Sequence, residues 1–402
     1  MAWNHKTRVV AMAIAIQAVA GVFTDPGIAG IIPVAPPTNG EDIISTEDPT
    51  ATGSVWTSPR VFLGKTANAG ASAPLRGPGG SAPFAANTWG QGLILQAAGF
   101  AEVRTASAIA GVLQAGSTST ALNLAAAASA TDDFYLGMPI QTAAIGTGAV
   151  KGTSLITDYN GTSKAALIGE TLGSAPAAGV AYTIPPNVTY QLGTLSSAPP
   201  LLSVTIWRDK KRYDYYDVRV TQLTIDMPVS NEQNQVYPSM EFTLKGLPLP
   251  TSDVANAPIV PRALLTTIPP YRNGKYTLDR VPLGHQSTRF AANFEVAGAS
   301  NAAQAQGQDA YEPMSGTRTL DLDLNQMAVA DFNIDTRVDN QVVMPSMSLW
   351  GMGPGNRFGM LVPEIVLDPL NNPGDRNGFV NLTGNGAFVG ADKSATLTLW
   401  WD

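Results

Sequence analysis

Two histidines, His5 and His285, and no cysteine in 402 residues leave little for imidazole or thiolate chemistry. The lack of cysteine removes disulfides, thiolate metal sites and cysteine nucleophiles together. Asp321 and Asp323 stand two apart and could offer oxygens to a hard cation. Leu320, Leu322 and Leu324 alternate with them, however, so the pair reads as the solvated face of a strand. Glu41-Asp42 lie in a segment that brings no partner acid or base with it. Gly351-Met352-Gly353-Pro354-Gly355 lacks the Lys-Ser/Thr of a phosphate loop, and Pro354 denies a helix start, so it reads as a turn. Asn160, Asn187 and Asn381 head Asn-x-Thr sequons, which carry meaning only in a secreted eukaryotic protein. These residues name no catalytic, cofactor-binding or metal-binding set, and the chain does not read as an enzyme.

The densest charge runs from Arg208 to Asp217, where basic residues sit beside Tyr213, Tyr215 and Tyr216. Such interleaving could stack nucleic-acid bases. Asp209, Asp214 and Asp217 offset most of the positive charge, and strand-like runs flank the segment. A hairpin tip is therefore expected, with Arg208, Lys210, Lys211, Arg212, Tyr213 and Tyr215 touching a neighbouring subunit.

The elements that carry these residues follow from composition. Charged residues are 14% of the chain, well below the usual quarter, while 44% are apolar. With 39 Gly and 30 Pro among many Val, Ile and Thr, the pattern is of short strands joined by turns, hence mainly β. The length suits two or three domains. A net charge of −7 argues against a protein that grips DNA or an anionic membrane, though not against one that DNA slides past. Lys6, Arg8 and the apolar run Val9 to Val22, with Ala18-Val19-Ala20, resemble a secretory leader; Met12, Ile14 and Ile16 alternate with small residues, which favours a strand that the working protein retains. No stretch reaches the ~20 apolar residues of a membrane span.

Residues 9–65 read as two strands separated by a long loop that carries the acidic run Glu41-Asp42 to Glu47-Asp48. Gly70 to Pro83 shows no period. One helix is expected from Asn87, a possible N-cap, through Trp89, Leu93, Ile94, Ala97 and Phe100, with Gly99 as its stop. Ala106 to Ala130 reads as a linker or a loosely packed loop. A compact module follows, with a hairpin whose tip, Asn160-Gly161, carries the type I′ signal. Ala/Ser/Gly-rich flanks make it an outward decoration dispensable for assembly. Further strands are expected over Leu202–Trp207, Tyr216–Met227, Tyr237–Leu244, Arg318–Leu324, Met344–Trp350, Met360–Leu367, Gly378–Leu382 and Ser394–Trp401, with a second hairpin at Asn273-Gly274. A Pro-rich linker, Pro248 to Pro261, is expected to hold two sandwiches apart. Three strand-like segments recur: Leu202–Trp207, Leu223–Pro228 and Glu241–Gly246 against Met344–Trp350, Glu364–Pro369 and Phe379–Gly384. The pattern reads as a duplication.

The run PPLLSVTIWRDKKRYDYYDVRVTQLTIDMPVSNEQNQVYPSMEFTLKG resembles tail tube proteins of long-tailed bacteriophages. NTWGQGLILQAAGFAEV is similar to the single helix those proteins pack against their sandwich, and FYLGMPIQ to VAYTI is similar to a small β-module of phage structural proteins. Together these cover about half the chain; the added module and the second copy depart from the family's single-domain pattern. The resemblance implies two tandem tail-tube-type β-sandwich or barrel domains with a flanking helix and an inserted β-module. Their expected limits are residues 1–130 with 185–250, 131–184, and 251–402. It implies a structural virion protein, assembled in the bacterial cytoplasm, that stacks as rings into the tube used for genome ejection. Family rings hold six tube domains, so a duplicated chain would close trimeric rings, with hexameric rings as the runner-up. Implied partners are further copies, the tape measure, tail terminator and tail tip proteins, and DNA passing through the lumen without specific binding; no membrane and no cofactor is implied. Residues 1–250 carry 14 basic and 16 acidic side chains and the remainder 10 and 15, a balance that suits a lumen repelling phosphate. A capsid-decoration or fibre protein would share the composition, and a secreted adhesin or hydrolase draws only on Ala18-Val19-Ala20.

Overall fold

The computed structural model describes residues 10–48, 60–77, 89–193, 199–230, 236–254, 256–261, 265, 267–271, 273–304, 307–325, 332–351, 353, 355–368, 374–376, 379–390 and 396–401. His5, Asn87, Met352 and Pro354 fall outside them. The architecture is mainly β, as composition indicates. The chain opens with β1 (Val10–Ile16) and β2 (Ile31–Ile32), then a hairpin of β3 (Thr38–Glu47) and β4 (Arg60–Pro74), helix α1 (Gly90–Ala97) and β5 (Phe100–Thr105). A small sheet follows: β6 (Ile109–Val112), β7 (Ala121–Asn123), β8 (Pro139–Thr142), β9 (Thr153–Asn160), β10 (Ala165–Ile168) and β11 (Ala181–Ile184). The main sheet resumes with β12 (Asn187–Leu192), β13 (Leu202–Arg208), β14 (Lys211–Pro228), β15 (Ser239–Pro248) and β16 (Ser252–Asp253). The remainder is β17 (Lys275–Leu278), β18 (Val281–Pro282), β19 (His285–Ser300), β20 (Gln308–Asn325), α2 (Ile334–Asp339), β21 (Met344–Gly351), β22 (Arg357–Leu367), β23 (Gly374–Arg376), β24 (Phe379–Phe388) and β25 (Thr398–Trp401).

Alternation decides β1. Met12 and Ile14 enter the main core, while Ala11 and Ala13 pack on the other face beneath Trp207 and Ala257. A strand buried on both faces needs large residues toward the deep side and small ones toward the shallow side, which is the order written there. Helix α1 starts at Gly90, later than Asn87, and closes as expected at Gly99, whose φ of +93° is left-handed. Its approach to the sheet is set by glycine: a Cβ on Gly92 would lie 2.1 Å from the Tyr190 hydroxyl.

Two runs of elements repeat the same topology. In the first, β1 pairs with β2 and β13, β13 with β14, β14 with β15, β15 with β4, and β4 with β3. In the second, β17 pairs with β18 and β21, β21 with β22, β22 with β24, β24 with β20, and β20 with β19. A helix follows the long hairpin in each, α1 after β4 and α2 after β20. The short segments that recur in sequence are the three-strand meanders of these two halves.

The halves are fused, not spaced apart. β14 is 18 residues long; its start pairs with β13, and Gln222–Pro228 pairs with Asn293–Ser287 of β19. The last strand, β25, lies between β22 of the second half and β12 of the first. Arg219, almost fully buried, donates from Nε to the Tyr311 carbonyl at 2.8 Å and from Nη2 to Glu312 at 3.1 Å. One apolar cluster runs through both, from Met12 to Trp401. The expectation that prolines 248–261 hold two separate sandwiches apart is therefore corrected: strand pairing across the junction outweighs linker stiffness.

Further corrections concern turns and loops. Glu41 to Glu47 is strand, not loop, because β3 ladders along β4 from Thr38 to Glu47. Ala106–Ala130 is neither a linker nor a loosely packed loop. It supplies β6 and β7, and Leu122 of β7 with the adjoining Leu113 and Leu124 sits in the small sheet's own core, so this unit starts near Ile109, before the expected limit at 131. Asn160 and Ala165 are paired across four intervening residues, and the Asn160 side chain accepts from Thr162 N (3.0 Å) and Ser163 N (2.8 Å). The type I′ signature of two positive-φ residues falls at Asp279 (φ 50°) and Arg280 (φ 62°), between β17 and β18, and neither at Asn160-Gly161, where it was expected, nor at Asn273-Gly274.

Candidate assembly surface

The charged segment is a hairpin tip, as its flanking strands indicate, with Asp209 (φ 52°) and Lys210 between β13 and β14. Much of its charge is engaged within the chain. Arg208 donates to the Pro37 carbonyl at 2.6 Å; Arg212 donates to Asp214 and to Asp25, each at 2.9 Å; Lys211 bonds Asp253. The Arg212 guanidinium also lies 5.8 Å from the Trp207 ring and 5.9 Å from Phe23. Tyr213 is half-buried, and Tyr215 is buried with its hydroxyl accepting from Asn39 at 3.3 Å, where burial pushes it up to about 12. Arg208 and Lys210 are exposed at the tip.

Behind the tip β14 bulges at Asp217, a buried carboxylate with φ 50°. It accepts from Gln17 Nε2 at 2.5 Å and Gly21 N at 2.8 Å, while its own N–H donates to Gln17 Oε1 at 2.7 Å. This locks the exit of β1 to the bulge. Asp217→Ala takes away the acceptor that Gly21 N uses and that Gln17 Nε2 shares with the Val19 carbonyl, and should lower unfolding stability by about 1–3 kcal/mol. Urea titration checks it; a loss below about 0.5 kcal/mol, the usual surface range, would contradict the role given to the carboxylate.

The small sheet is docked on the second half. Leu155 packs with Met347, Leu349, Leu361 and Trp400, all buried. Lys275 donates to Glu170 at 2.8 Å and to the carbonyls of Lys151 (2.9 Å) and Thr153 (3.0 Å). Thr277 donates to Gly169 O at 2.6 Å, and Arg357 to Ala149 O at 3.1 Å. The outward, separable decoration expected from its flanks is corrected on this geometry. A cleft of about 500 Å³ between module and second half is lined by Asp132, Asp158, Arg280 and Glu364 among others. Asp132 is occupied in accepting from Gly161 N at 2.7 Å. Among the described residues no three His, Asp or Glu side chains are grouped to hold a metal, and Asp321 and Asp323 lie half-buried on the β20 face opposite Leu320, Leu322 and Leu324.

His285 stacks on Tyr276 at 4.2 Å and meets Tyr271 edge-on at 5.1 Å, with Nε2 2.6 Å from Thr288 Oγ1. Burial pulls its imidazole down to about 3. The unfolded chain binds this proton near pH 6.5 and the folded chain does not, so stability falls as pH drops from 6.5 toward 3. Between pH 6.5 and 5 the loss should be about 2 kcal/mol, and His285→Phe should flatten that slope. An unchanged slope in the variant would assign it elsewhere.

The strongest unpartnered surface is one that sequence reading passed over. Among the described residues β3 pairs with β4 alone, leaving its other edge open from Thr38 to Glu47. The far end of this hairpin exposes Ile43 (63%), Phe62 (59%) and Leu63 (53%), with Ile44 and Val61 also exposed. Long, apolar, open edges are where proteins add strands from other chains. The signal was present as Ile43-Ile44 and Val61-Phe62-Leu63, but the acidic neighbours and intervening Ser/Thr/Pro residues disguised it as loop. What fold and surface define is a β-protein of two fused, topologically equivalent halves with an open edge. No protein-family model matches the chain, and no curated protein matches it. No helix among the described residues is long and apolar enough to cross a membrane.

Proposed function

We propose that this chain is a structural protein of a bacteriophage tail, self-assembling as stacked rings into the tail tube through which DNA leaves the virion. The observation that carries the reading is the repeat of one topology within the chain, with Gln222–Pro228 of the first half already strand-paired to β19 of the second. A contact that joins two equivalent units side by side can be reused between chains, and rings close when the rotation permits. An acidic chain favours a lumen that does not retain DNA. Three chains would supply six equivalent units per ring. Tape measure, terminator and tip proteins, and residence in the virion, belong to this reading through the resemblance. The tip residues Arg208 and Lys210 remain candidates for contact between rings.

Negative-stain images of the purified full chain test it. Tubes or stacked rings support the reading. Monodisperse monomers at high concentration overturn it, and isolated trimers that never stack favour a capsid-decoration or fibre role.

A further inference from the structure

We infer that the open edge of β3 is an antiparallel docking site for the β23 edge of a second copy of this chain. The inference deepens the assembly reading and rests on it, and the chain itself supplies the template. In the second half the long hairpin is β19–β20, and the first residues of its outer strand, Ser287–Asn293, pair with β14. In the first half the matching hairpin is β3–β4, and the matching outer strand begins at Thr38. The intrachain contact thus joins the meander of the first half to the outer hairpin strand of the second. Its counterpart would join the meander of the second half to the outer hairpin strand of the first, and among the described residues that contact is not made within one chain.

Among the described residues, each partner of the missing contact has one edge that no strand pairs. β22 and β23 both pair with β24, as β14 pairs with β15 along its length. β23, Gly374–Arg376, pairs with β24 alone among the described residues, so its other edge is open where the matching part of β14 carries β19. On β19, Thr288, Phe290 and Ala292 are buried beside β14; on β3 no residue from Thr38 to Glu47 is buried. The two hairpins run together, since the Gly307 end of one approaches Leu63 of the other (the carbonyl lies 4.0 Å from a Cβ built on Gly307). β3 therefore holds the position of an interface strand that, among the described residues, has no neighbour on its outer edge. Strand addition at the Thr38 end gives partners to backbone N–H and C=O groups that no described strand meets. The occupant is a second copy because only the same chain carries the complementary edge in the matching topology. Antiparallel polarity is expected because β14 and β19 are antiparallel.

The chain has no cysteine, so introduced thiols are unambiguous. Thr38→Cys and Asp375→Cys, made singly and together in the full chain, are treated with a short bismaleimide after assembly. A control pair, Gln222→Cys with Asn293→Cys, faces across β14–β19 and should link within one chain without raising its mass, showing that the fold is intact. The double variant should give covalent multimers ending in a closed species of ring size. Mixing the two single variants should stop at pairs of one each. Images that show rings or tubes while the β3 and β23 thiols fail to link overturn this interface and leave the assembly reading standing. A Thr38→Cys variant that links to itself overturns the interface in favour of a two-fold β3 contact. Particles that stay monomeric with the control pair linked overturn both.

Discussion

Excising residues 109–184 and joining the flanks through a short Gly/Ser linker should abolish soluble, folded protein rather than leave a functional core. The reason is the face the small sheet covers. Met347, Leu349, Leu361 and Trp400 are each at most 1% exposed, packed with Leu155. Uncovering them forfeits burial at about 1.5–3 kcal/mol per large side chain, on the order of 8 kcal/mol. That is comparable with the whole net stability of a typical domain, about 5–15 kcal/mol. Lys275, only 14% exposed in its side chain, would lose Glu170 and both carbonyl acceptors at once. Soluble yield and thermal melting measure the outcome. A cooperative melt close to that of the intact chain would mean that the small sheet is an accessory after all. Leu155→Ala is the graded version, with an expected loss of about 2–5 kcal/mol.

Phe290→Ala should be the most damaging single change at the junction of the halves, at about 3–5 kcal/mol. Phe290 is 0% exposed, sits opposite Ile225 in the β14–β19 ladder, and meets Phe100 (6.4 Å) and Phe388 (6.1 Å) edge-on. Its ring thus touches the first half, the second half and the strand that fuses them. Truncation leaves a cavity bounded by three elements that cannot all close on it. Guanidinium denaturation should show a lowered midpoint with one transition, because the core is shared. Two separated transitions would mean that the halves fold independently, and a loss below about 1 kcal/mol would mean that the site collapses freely.

Much of the fold is legible in the sequence where side-chain period and burial coincide. Leu202–Trp207, Arg318–Leu324 and Met344–Trp350 read as strands because their apolar residues fall on faces that the core then covers. The recurrence of three short segments pointed to the meanders β13–β14–β15 and β21–β22–β24. Sequence did not disclose the matching hairpins, because β3–β4 and β19–β20 share no residue pattern; their likeness lies in backbone pairing alone. Pairing across the junction was equally hidden. Nothing local in Gln222–Pro228 tells it to leave β13 and take up β19, since that choice is made by strand length and long-range geometry. Alanine misled twice: in Ala106–Ala130, where sparse leucines carry the core, and in Ala67, Ala69 and Ala73, buried small residues of β4 that show no apolar stripe by eye. The charged tip was legible as a hairpin, but its engagement with Asp25, Pro37 and Asp253 depends on segments up to 187 residues away.

Electron cryo-microscopy of particles assembled from the full chain bears most directly on the proposed tube. A three-dimensional reconstruction should show rings of three chains, with the two halves alternating around the wall and β14–β19 contacts alternating with β3–β23 contacts. Six chains per ring with residues 251–402 outside the wall, or a preparation holding only monomers, would contradict it.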